Sequence, residues 1–363
     1  MLLRKYKSLR YHLAVQTQNL RDYLSVLWVY QRYMGSQKDR GQPIVHFELT
    51  QAKRYSRYLY LLIKFFLMNG HRVYIQMSLG DRYYFKKDSS TQYLFQEKDI
   101  TFGHPPKNTT CLTFNDSNIS LDYFGRSSRD KSYHIPIGQH PEMYFRGYWN
   151  EEIKETQPRN RSIIFIGSFE EKNYSQTDNE NTFNVISRYP LYKQLNQHPA
   201  FLELCGEQEL EDFLDSKQDH KLVILNCSKG TPICQSKIRA YLGRFEFFFA
   251  FPGVVMPLCH NIVEAMSAGC IPIMQSEYAR VMKPTFAPDL NCLTFENLQD
   301  VNEKINTFLS LPQEKIEELR TNLTSLYQSQ LTPQAIVANL VSGEYDKVYV
   351  LGEYHSVHYG WKE

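Results

Sequence analysis

The sequence predicts an α/β protein with two Rossmann-like, doubly wound domains that face each other across a cleft. Three observations predict this fold class. The 363 residues suffice for two domains, the hydrophobic fraction of 42% suffices for cores, and strand-like and helix-like segments alternate along the chain. We expect an N-terminal basic amphipathic helical segment over 1–40, a first domain over 41–150, a second domain over 151–330, and a C-terminal tail over 331–363 that braces the first domain.

The first 34 residues are basic and carry interspersed leucines. Six arginines and lysines face one acid, Asp22. Such a helix can lie on an anionic membrane surface, and a helix packed on the first domain is the alternative. No segment has the length and apolar character of a membrane span. We expect a cytoplasmic protein, with peripheral attachment to the inner membrane face if the first alternative holds.

The first domain is predicted from a β-α-β pattern. A buried strand over 43–50 is followed by a helix over 53–69 and a strand over 71–77. Strands joined through a helix pair in parallel with a right-handed crossover, so a parallel sheet is expected. A further short strand is predicted over 111–114. Between 86 and 106 the pattern indicates no clear element.

The second domain is predicted to begin with a strand and a glycine turn over 161–168. In doubly wound sheets, ligands bind beyond the carboxyl ends of the strands, so this turn is a candidate for ligand contact. The rest alternates: a charged loop over 170–181, strands over 201–205 and 221–227, and helices over 190–197, 207–215, 237–242, 298–309, 313–330 and 333–340.

The segment Pro257–Ile273 is the most informative in the chain. A proline suits the first helical position and a glycine suits a left-handed helix exit, so the pattern predicts a helix from Pro257 to Gly269 and a return into a strand. The free N–H groups at the start of such a helix favour phosphate. The polar face of this helix carries His260, Asn261 and Glu264.

The order of elements around this helix carries a family resemblance. An aromatic strand within Tyr241–Gly253 ends in a Pro-Gly turn, and the helix with His-Asn-x-x-Glu-Ala leads into Gly-Cys-Ile-Pro-Ile. This order resembles the donor-sugar-binding segment of GT-B glycosyltransferases, and its ending resembles the exostosin-like group. The segments 43–77 and 131–170 are similar to the acceptor domain and the interdomain linker of such enzymes.

The resemblance implies a glycosyltransferase. It implies that the second domain holds a nucleoside diphosphate sugar, UDP- or GDP-linked, as a substrate and that no cofactor is needed. The first domain would hold a glycan or lipid-linked acceptor, in surface polysaccharide or glycoconjugate synthesis. In the family an acid at the position of Glu264 binds donor hydroxyls. No Asp-x-Asp motif is present, so a metal-dependent donor site is not predicted.

The chemistry of the donor site suggests further residues. A leaving diphosphate is stabilised by helix N–H groups and by preorganised lysines or arginines. A glycine lets the backbone approach a ligand closely. For Glu264, His260 and Gly167 the alternatives are a helix-surface acid, a hydrogen-bonded structural histidine and a turn glycine. The predicted donor-binding residues are Gly167, Lys237, Arg239, Arg244, Gly253, His260, Asn261 and Glu264.

The mechanism is predicted to be inverting. Retaining GT-B families often carry two glutamates separated by seven residues, whereas twelve residues separate Glu264 from Glu277. An inverting enzyme needs a general base for the acceptor proton, expected from the first domain. The best carboxylates are Glu48 and Asp116, for which burial or turn capping is the alternative. The imidazole candidates are His104 and His134.

The net charge and the cysteine pattern argue against a nucleic-acid-binding protein and a disulfide-rich protein. A net charge of +2 gives no reason to expect a nucleic-acid partner, and seven scattered cysteines without Cys-x-x-Cys predict reduced thiols.

Two other functions remain open. One is a non-transferring nucleotide-sugar enzyme such as an epimerase, and the other is a non-catalytic nucleotide- or glycan-binding protein of the same fold.

Overall fold

The computed structural model describes residues 41–125, 131–153, 158–174, 179–230 and 233–359. The predicted N-terminal helical segment lies outside the described residues. Among these residues, no helix combines the length and the apolar character needed to cross a membrane.

Thirteen strands and fourteen α-helices are found in this part of the chain. The strands are β1 (Ile44–Glu48), β2 (Arg72–Gln76), β3 (Ile100–Phe102), β4 (Cys111–Asn115), β5 (Ile119–Ser120), β6 (Ser132–His134), β7 (Asn160–Gly167), β8 (Phe201–Leu204), β9 (Leu222–Asn226), β10 (Phe245–Phe249), β11 (Ile271–Gln275), β12 (Leu293–Phe295) and β13 (Lys347–Tyr349). The helices are α1 (Ser56–Met68), α2 (Leu79–Lys87), α3 (Pro141–Arg146), α4 (Glu171–Tyr174), α5 (Asn179–Phe183), α6 (Arg188–Leu195), α7 (Glu207–Asp215), α8 (Gln235–Leu242), α9 (His260–Ser267), α10 (Ser276–Val281), α11 (Val301–Leu309), α12 (Gln313–Leu326), α13 (Pro333–Ser342) and α14 (Tyr354–Val357).

The strands form two main parallel sheets, which confirms the predicted α/β, Rossmann-like class. The first sheet has the order β3-β2-β1-β4, and the second has the order β12-β11-β10-β7-β9-β8. Every pair in both sheets is parallel. The predicted β-α-β unit is present as β1, α1 and β2. The weakly patterned stretch before 106 contains β3, which was not predicted.

The centre of the second sheet is built from apolar strands. All residues of β9, β10 and β11 are buried, as expected for parallel strands covered on both faces. The chain order changes direction between β7 and β10, which are neighbours in the sheet. Such a switch point leaves a crevice at the carboxyl ends of the two strands, because the connecting helices lie on opposite faces.

The C-terminal part of the chain contacts elements from the first half. In a small third sheet β13 pairs in parallel with β5 and β6. Helix α13 packs against α1, and the Asn69 side chain donates to the Pro333 carbonyl oxygen over 3.2 Å. These contacts tie the end of the chain to the residues around the first sheet.

Helix α9 begins three residues later than predicted. Pro257 is not its first residue, because the Pro257 carbonyl oxygen accepts the Gly253 N–H over 3.1 Å and so closes a turn. Cys259 is the N-cap with extended backbone angles, and the helix starts at His260. The predicted exit is confirmed: Gly269 has φ of +70°, which favours glycine.

Candidate functional site

A cavity lies at the switch point of the second sheet. It has a volume of about 280 Å³ and is bordered by the carboxyl ends of β7 and β10 and by the first turn of α9. Its polar lining includes Ser168, Arg188 and His260, and its apolar wall includes Ile238 and Phe248. A parallel sheet, a helix N-terminus and a mixed wall of this kind can hold a phosphate at one end and an apolar ring at the other.

The first turn of α9 presents hydrogen-bonding groups to this cavity. The first N–H groups of any helix have no acceptor within the helix, and the N-cap Cys259 supplies no side-chain acceptor. The oxygens of two lining amides, Asn261 Oδ1 and Gln235 Oε1, are buried and have no hydrogen-bond partner within the described part of the chain. Buried polar groups are normally paired. These amides therefore favour a polar ligand.

Arg188, at the start of α6, brings a buried positive charge to the cavity. It is 4% exposed. Its Nε donates to the Pro252 carbonyl oxygen over 2.8 Å and Nη1 donates to the Ser168 carbonyl oxygen over 3.1 Å. The guanidinium lies over the rings of Phe165 and Tyr174, at 5.3 and 4.2 Å from their centroids. Among the described residues no carboxylate pairs with it, so an anionic ligand would supply the missing charge.

Glu264 joins the cavity to the first half of the chain. It lies one turn after His260 on α9, lines the cavity and is 3% exposed. Its Oε1 accepts the backbone N–H of His140 over 3.0 Å, and His140 is the N-cap of α3. The rings of His140 and His260 meet edge to face at 5.3 Å. Residues from both halves of the chain therefore meet at this helix.

Burial shifts the pKa values of Glu264 and His260 in opposite directions. Burial raises the pKa of Glu264 to about 7, against the opposing effects of the His140 N–H and of Arg239. Burial lowers the pKa of His260 well below its usual value, and the charges of Arg57 and Arg188 lower it further. His260 is consequently neutral at neutral pH. Its Nε2 lies 3.9 Å from Glu264 Oε1, but the two do not form an ion pair in that state.

Four predicted donor-binding residues come together at the cavity. Gly167, His260, Asn261 and Glu264 all line it. At Gly167 the space is tight, because an added Cβ would lie 2.6 Å from the Phe165 ring. Only glycine fits this position without displacing that ring.

The three predicted cations are engaged elsewhere and do not line this cavity. Lys237 pairs with Glu207 over 2.6 Å, and Arg244 pairs with Glu211 over 2.9 Å. Arg239 is buried and donates four hydrogen bonds, because its guanidinium fills the space between the end of α9 and the segment before β7. Its acceptors are the hydroxyl and carbonyl of Ser267 and the carbonyls of Tyr148 and Glu151.

Gly253 also lies outside the lining. Its carbonyl oxygen accepts the Asn179 side chain over 2.8 Å, and an added Cβ would lie 2.6 Å from the Met256 carbonyl oxygen. The close approach that requires glycine here is therefore to the chain's own backbone. Among the described residues, no three His, Cys, Asp or Glu side chains form a group that could hold a metal ion.

The residues predicted as the general base do not line the cavity at the switch point. Glu48 ends β1 and is exposed, and Asp116 follows β4 and accepts the Thr50 N–H over 3.2 Å. This hydrogen bond corresponds to the capping alternative for Asp116. His104 is exposed, with its Nε2 placed 2.5 Å from Gln76 Nε2.

His134 borders a second, larger cavity of about 670 Å³, between the first half of the chain, the segment around α10 and the C-terminal tail. It stacks on Tyr349 at 4.5 Å. Burial, reinforced by the charge of Lys283, lowers the pKa of His134 to about 4. The imidazole is therefore neutral and can accept a proton only weakly at neutral pH.

Sequence reasoning missed several residues near the cavity. Arg188 lies in an ordinary helical segment and Gln235 at the start of another, and no local pattern distinguishes them. His140 belongs to a segment that the resemblance had marked as the interdomain linker, but it was not singled out. Arg57, whose charge acts on both His140 and His260, stands at the start of α1.

Comparisons with known proteins give weak likenesses. No protein-family model matches the chain. No curated protein matches it in sequence. The chain is similar to Alr3699/HepE from Anabaena, solved in complex with UDP, at 12% identity and a TM-score of 0.43, with 83% of this chain and 100% of that chain covered.

Two further solved structures are similar at the same low level. Sucrose-phosphate synthase from Thermosynechococcus elongatus has 10% identity and a TM-score of 0.41, with 83% and 97% of the two chains covered. MurG from Acinetobacter baumannii has 10% identity and a TM-score of 0.37, with 82% and 99% covered.

Proposed function

We propose that the chain is a GT-B-type glycosyltransferase that binds a nucleoside diphosphate sugar, UDP- or GDP-linked, in the cavity at the switch point of the second sheet. The proposal includes transfer to a glycan or lipid-linked acceptor. One observation carries it: the buried guanidinium of Arg188 and the first turn of α9 border one cavity, with no carboxylate paired to the arginine among the described residues. Positive charge and helix N–H groups together favour a phosphate.

The proposed roles follow from these positions. Arg188 and the first N–H groups of α9 would stabilise the charge that develops on the leaving diphosphate. The Asn261 and Gln235 amides would hydrogen-bond hydroxyls or ring N–H groups of the donor. Glu264 and His260 would bind donor hydroxyls at the side of the cavity that meets His140. Because these groups are held by packing, they need little reorganisation when the ligand binds.

The acceptor is proposed to bind at the first sheet. Glu48 remains the proposed general base of an inverting reaction, because it stands exposed at the carboxyl end of β1. Asp116 remains the second candidate, at the end of the neighbouring strand β4. Each would require the acceptor hydroxyl to lie at this edge of the first sheet.

A binding protein without transfer activity is the second candidate function. One observation favours it: neither of the two carboxylates proposed as the base lines the donor cavity. Both candidates predict nucleotide binding, and only the transferase predicts turnover. Release of the nucleoside diphosphate from a labelled sugar donor, with and without a glycan acceptor, separates them.

Alkylation of Cys259, one of two cysteines that line the cavity, tests the proposed binding site directly. All seven cysteines are free, Cys227 and Cys259 line the cavity, and Cys111 is partly exposed at a distant place in the first sheet. We expect UDP or GDP to slow alkylation of Cys259 by a maleimide. At a nucleotide concentration ten times the dissociation constant, about one tenth of the rate should remain, because about nine tenths of the sites are occupied. Peptide mass spectrometry measures the rate at each cysteine.

Cys111 serves as the internal control, since it is partly exposed and begins β4 of the first sheet, outside the lining of the cavity. Its alkylation rate should not change with nucleotide. Equal rates at Cys259 with and without saturating nucleotide would rule out this cavity as the binding site.

A further inference from the structure

Arg57 stands where the first half of the chain approaches α9. It is the second residue of α1, and α1 packs against α3. Helix α3 begins after His140, whose backbone N–H bonds Glu264 and whose ring touches His260. The charge of Arg57 acts on both histidines and lowers their pKa. This series of contacts, from α1 through α3 to His260, brings Arg57 close to the start of α9.

The C-terminal tail holds this arginine. Nη2 of Arg57 lies 2.5 Å from Glu353 Oε1, and it also donates to the Tyr58 hydroxyl over 3.4 Å. The two charged side chains are 25% and 34% exposed, so the pair is partly open to solvent. Such a pair contributes little stability and can exchange partners.

The backbone at Glu353 is strained. This residue has φ of 47° and ψ of −116°, a conformation that favours glycine. It is stabilised by the adjacent turn, in which Gly352 N–H donates to Ser356 Oγ over 2.8 Å. A non-glycine residue persists in such a conformation only when the surrounding structure fixes it, and such residues cluster at functional sites. Here the side chain supplies the counter-ion of Arg57.

The geometry points to Arg57 as a second cation of the proposed anion site, contributed by the first half of the chain and held by Glu353 while the site is empty. When a diphosphate binds at the start of α9, Arg57 exchanges the Glu353 carboxylate for a phosphate oxygen. Arg188 then neutralises the ligand from one side and Arg57 from the other. This inference rests on the proposed anion site and adds to it a competing carboxylate that sets the affinity.

Substitution of the counter-ion tests the exchange. Glu353→Gln removes the competitor and should tighten binding of UDP, GDP and inorganic pyrophosphate by about fivefold, the range of an exposed ion pair. Arg57→Gln should weaken binding by about tenfold, because a charge-assisted contact is lost. The double variant should match Arg57→Gln, since the carboxylate acts only through the arginine. Calorimetric titration of the full chain gives the dissociation constants.

Controls separate this exchange from general effects of charge. The partly exposed pair Arg244–Glu211 is not part of the cavity lining, so Arg244→Gln and Glu211→Gln should leave the three dissociation constants unchanged. Uridine, which has no phosphate, should bind the Glu353→Gln and unmodified proteins alike. Circular dichroism and the unfolding midpoint confirm that each variant is folded.

The results also distinguish the two proposals. Unchanged or weaker pyrophosphate binding in Glu353→Gln would overturn the exchange, as would a gain that persists without Arg57. If pyrophosphate binding follows the expected pattern but no nucleotide binds, the exchange stands and the proposed function fails. If the unmodified protein binds none of the three ligands, both proposals are wrong.

Discussion

Replacing Arg188 with methionine is expected to weaken nucleotide binding by about 3 kcal/mol, a factor of about one hundred. The guanidinium is the buried cation of the cavity, and its backbone acceptors and aromatic neighbours hold it in place before any ligand arrives. A diphosphate in this cavity would lose a preorganised, charge-assisted partner. Titration with UDP and GDP measures the loss.

Arg239 offers a matched control for this prediction. It is also a buried arginine, but its four hydrogen bonds go to Ser267, Tyr148 and Glu151 and its side chain does not line the cavity. Arg239→Met should lower the free energy of unfolding by about 2–4 kcal/mol, because several buried acceptors lose their donor. Its dissociation constants for nucleotides should stay unchanged, provided they are measured below the unfolding transition.

The opposite outcome would reverse the assignment. If Arg239→Met abolishes binding and Arg188→Met does not, the cation predicted from the sequence is the functional one and the cavity described here is not the donor site. Equal losses in both variants would show that binding depends on overall stability.

The substitution Glu264→Gln is expected to change the free energy of unfolding in a way that depends on pH. Relative to the unmodified chain, the variant should gain about 3 kcal/mol more at alkaline pH than at acidic pH. Burial raises the pKa of Glu264 from 4.5 to about 7 in the folded state. Between these two values the folded chain holds a proton that the unfolded chain has released. The contribution of Glu264 to stability is therefore present below pH 4.5 and is lost as the pH rises through about 7.

A glutamine removes this dependence and keeps an oxygen that can accept the His140 N–H. The difference in free energy of unfolding between Glu264→Gln and the unmodified chain should grow from about pH 4.5 to pH 8. Urea unfolding at these two pH values measures it. The contribution of the buried histidines to the free energy of unfolding changes with pH in the opposite sense. These histidines are present in both proteins, so their contribution cancels in the difference.

Glu344→Gln is the control, because that side chain is 93% exposed. Its difference from the unmodified chain should stay within about 0.5 kcal/mol at both pH values, as is usual for an exposed side chain. A pH-independent difference for Glu264→Gln would mean that its carboxyl group is not shifted and that solvent reaches it in the folded state.

The sequence predicted the elements of the fold well wherever the pattern was local. The β-α-β unit, the apolar strands of the second sheet and the glycine exit of α9 depend on periodic burial and on backbone preferences within a few residues. For the same reason three of the predicted residues lie together at the cavity. His260, Asn261 and Glu264 lie on one short helix, so their common position follows from helical spacing alone.

Element boundaries and weak strands were less predictable. Pro257 would suit the first turn of a helix, yet its carbonyl closes a turn with Gly253 and α9 starts later. Strand β3 has only three residues and was missed, because so short a segment has no detectable period. These differences were decided by hydrogen bonds outside the helix and by pairing with β2.

The sequence by itself determined that a parallel α/β chain would place a His/Asn/Glu-bearing helix after a buried aromatic strand. Only the tertiary structure decided which cation stands beside that helix. The chain has 41 lysines and arginines, and Lys237, Arg239 and Arg244 were the ones predicted to stabilise the leaving diphosphate. Arg188 reaches the site instead, because the course of α6 past β7 and β10 is set by long-range packing. No short-range pattern in the sequence records such packing.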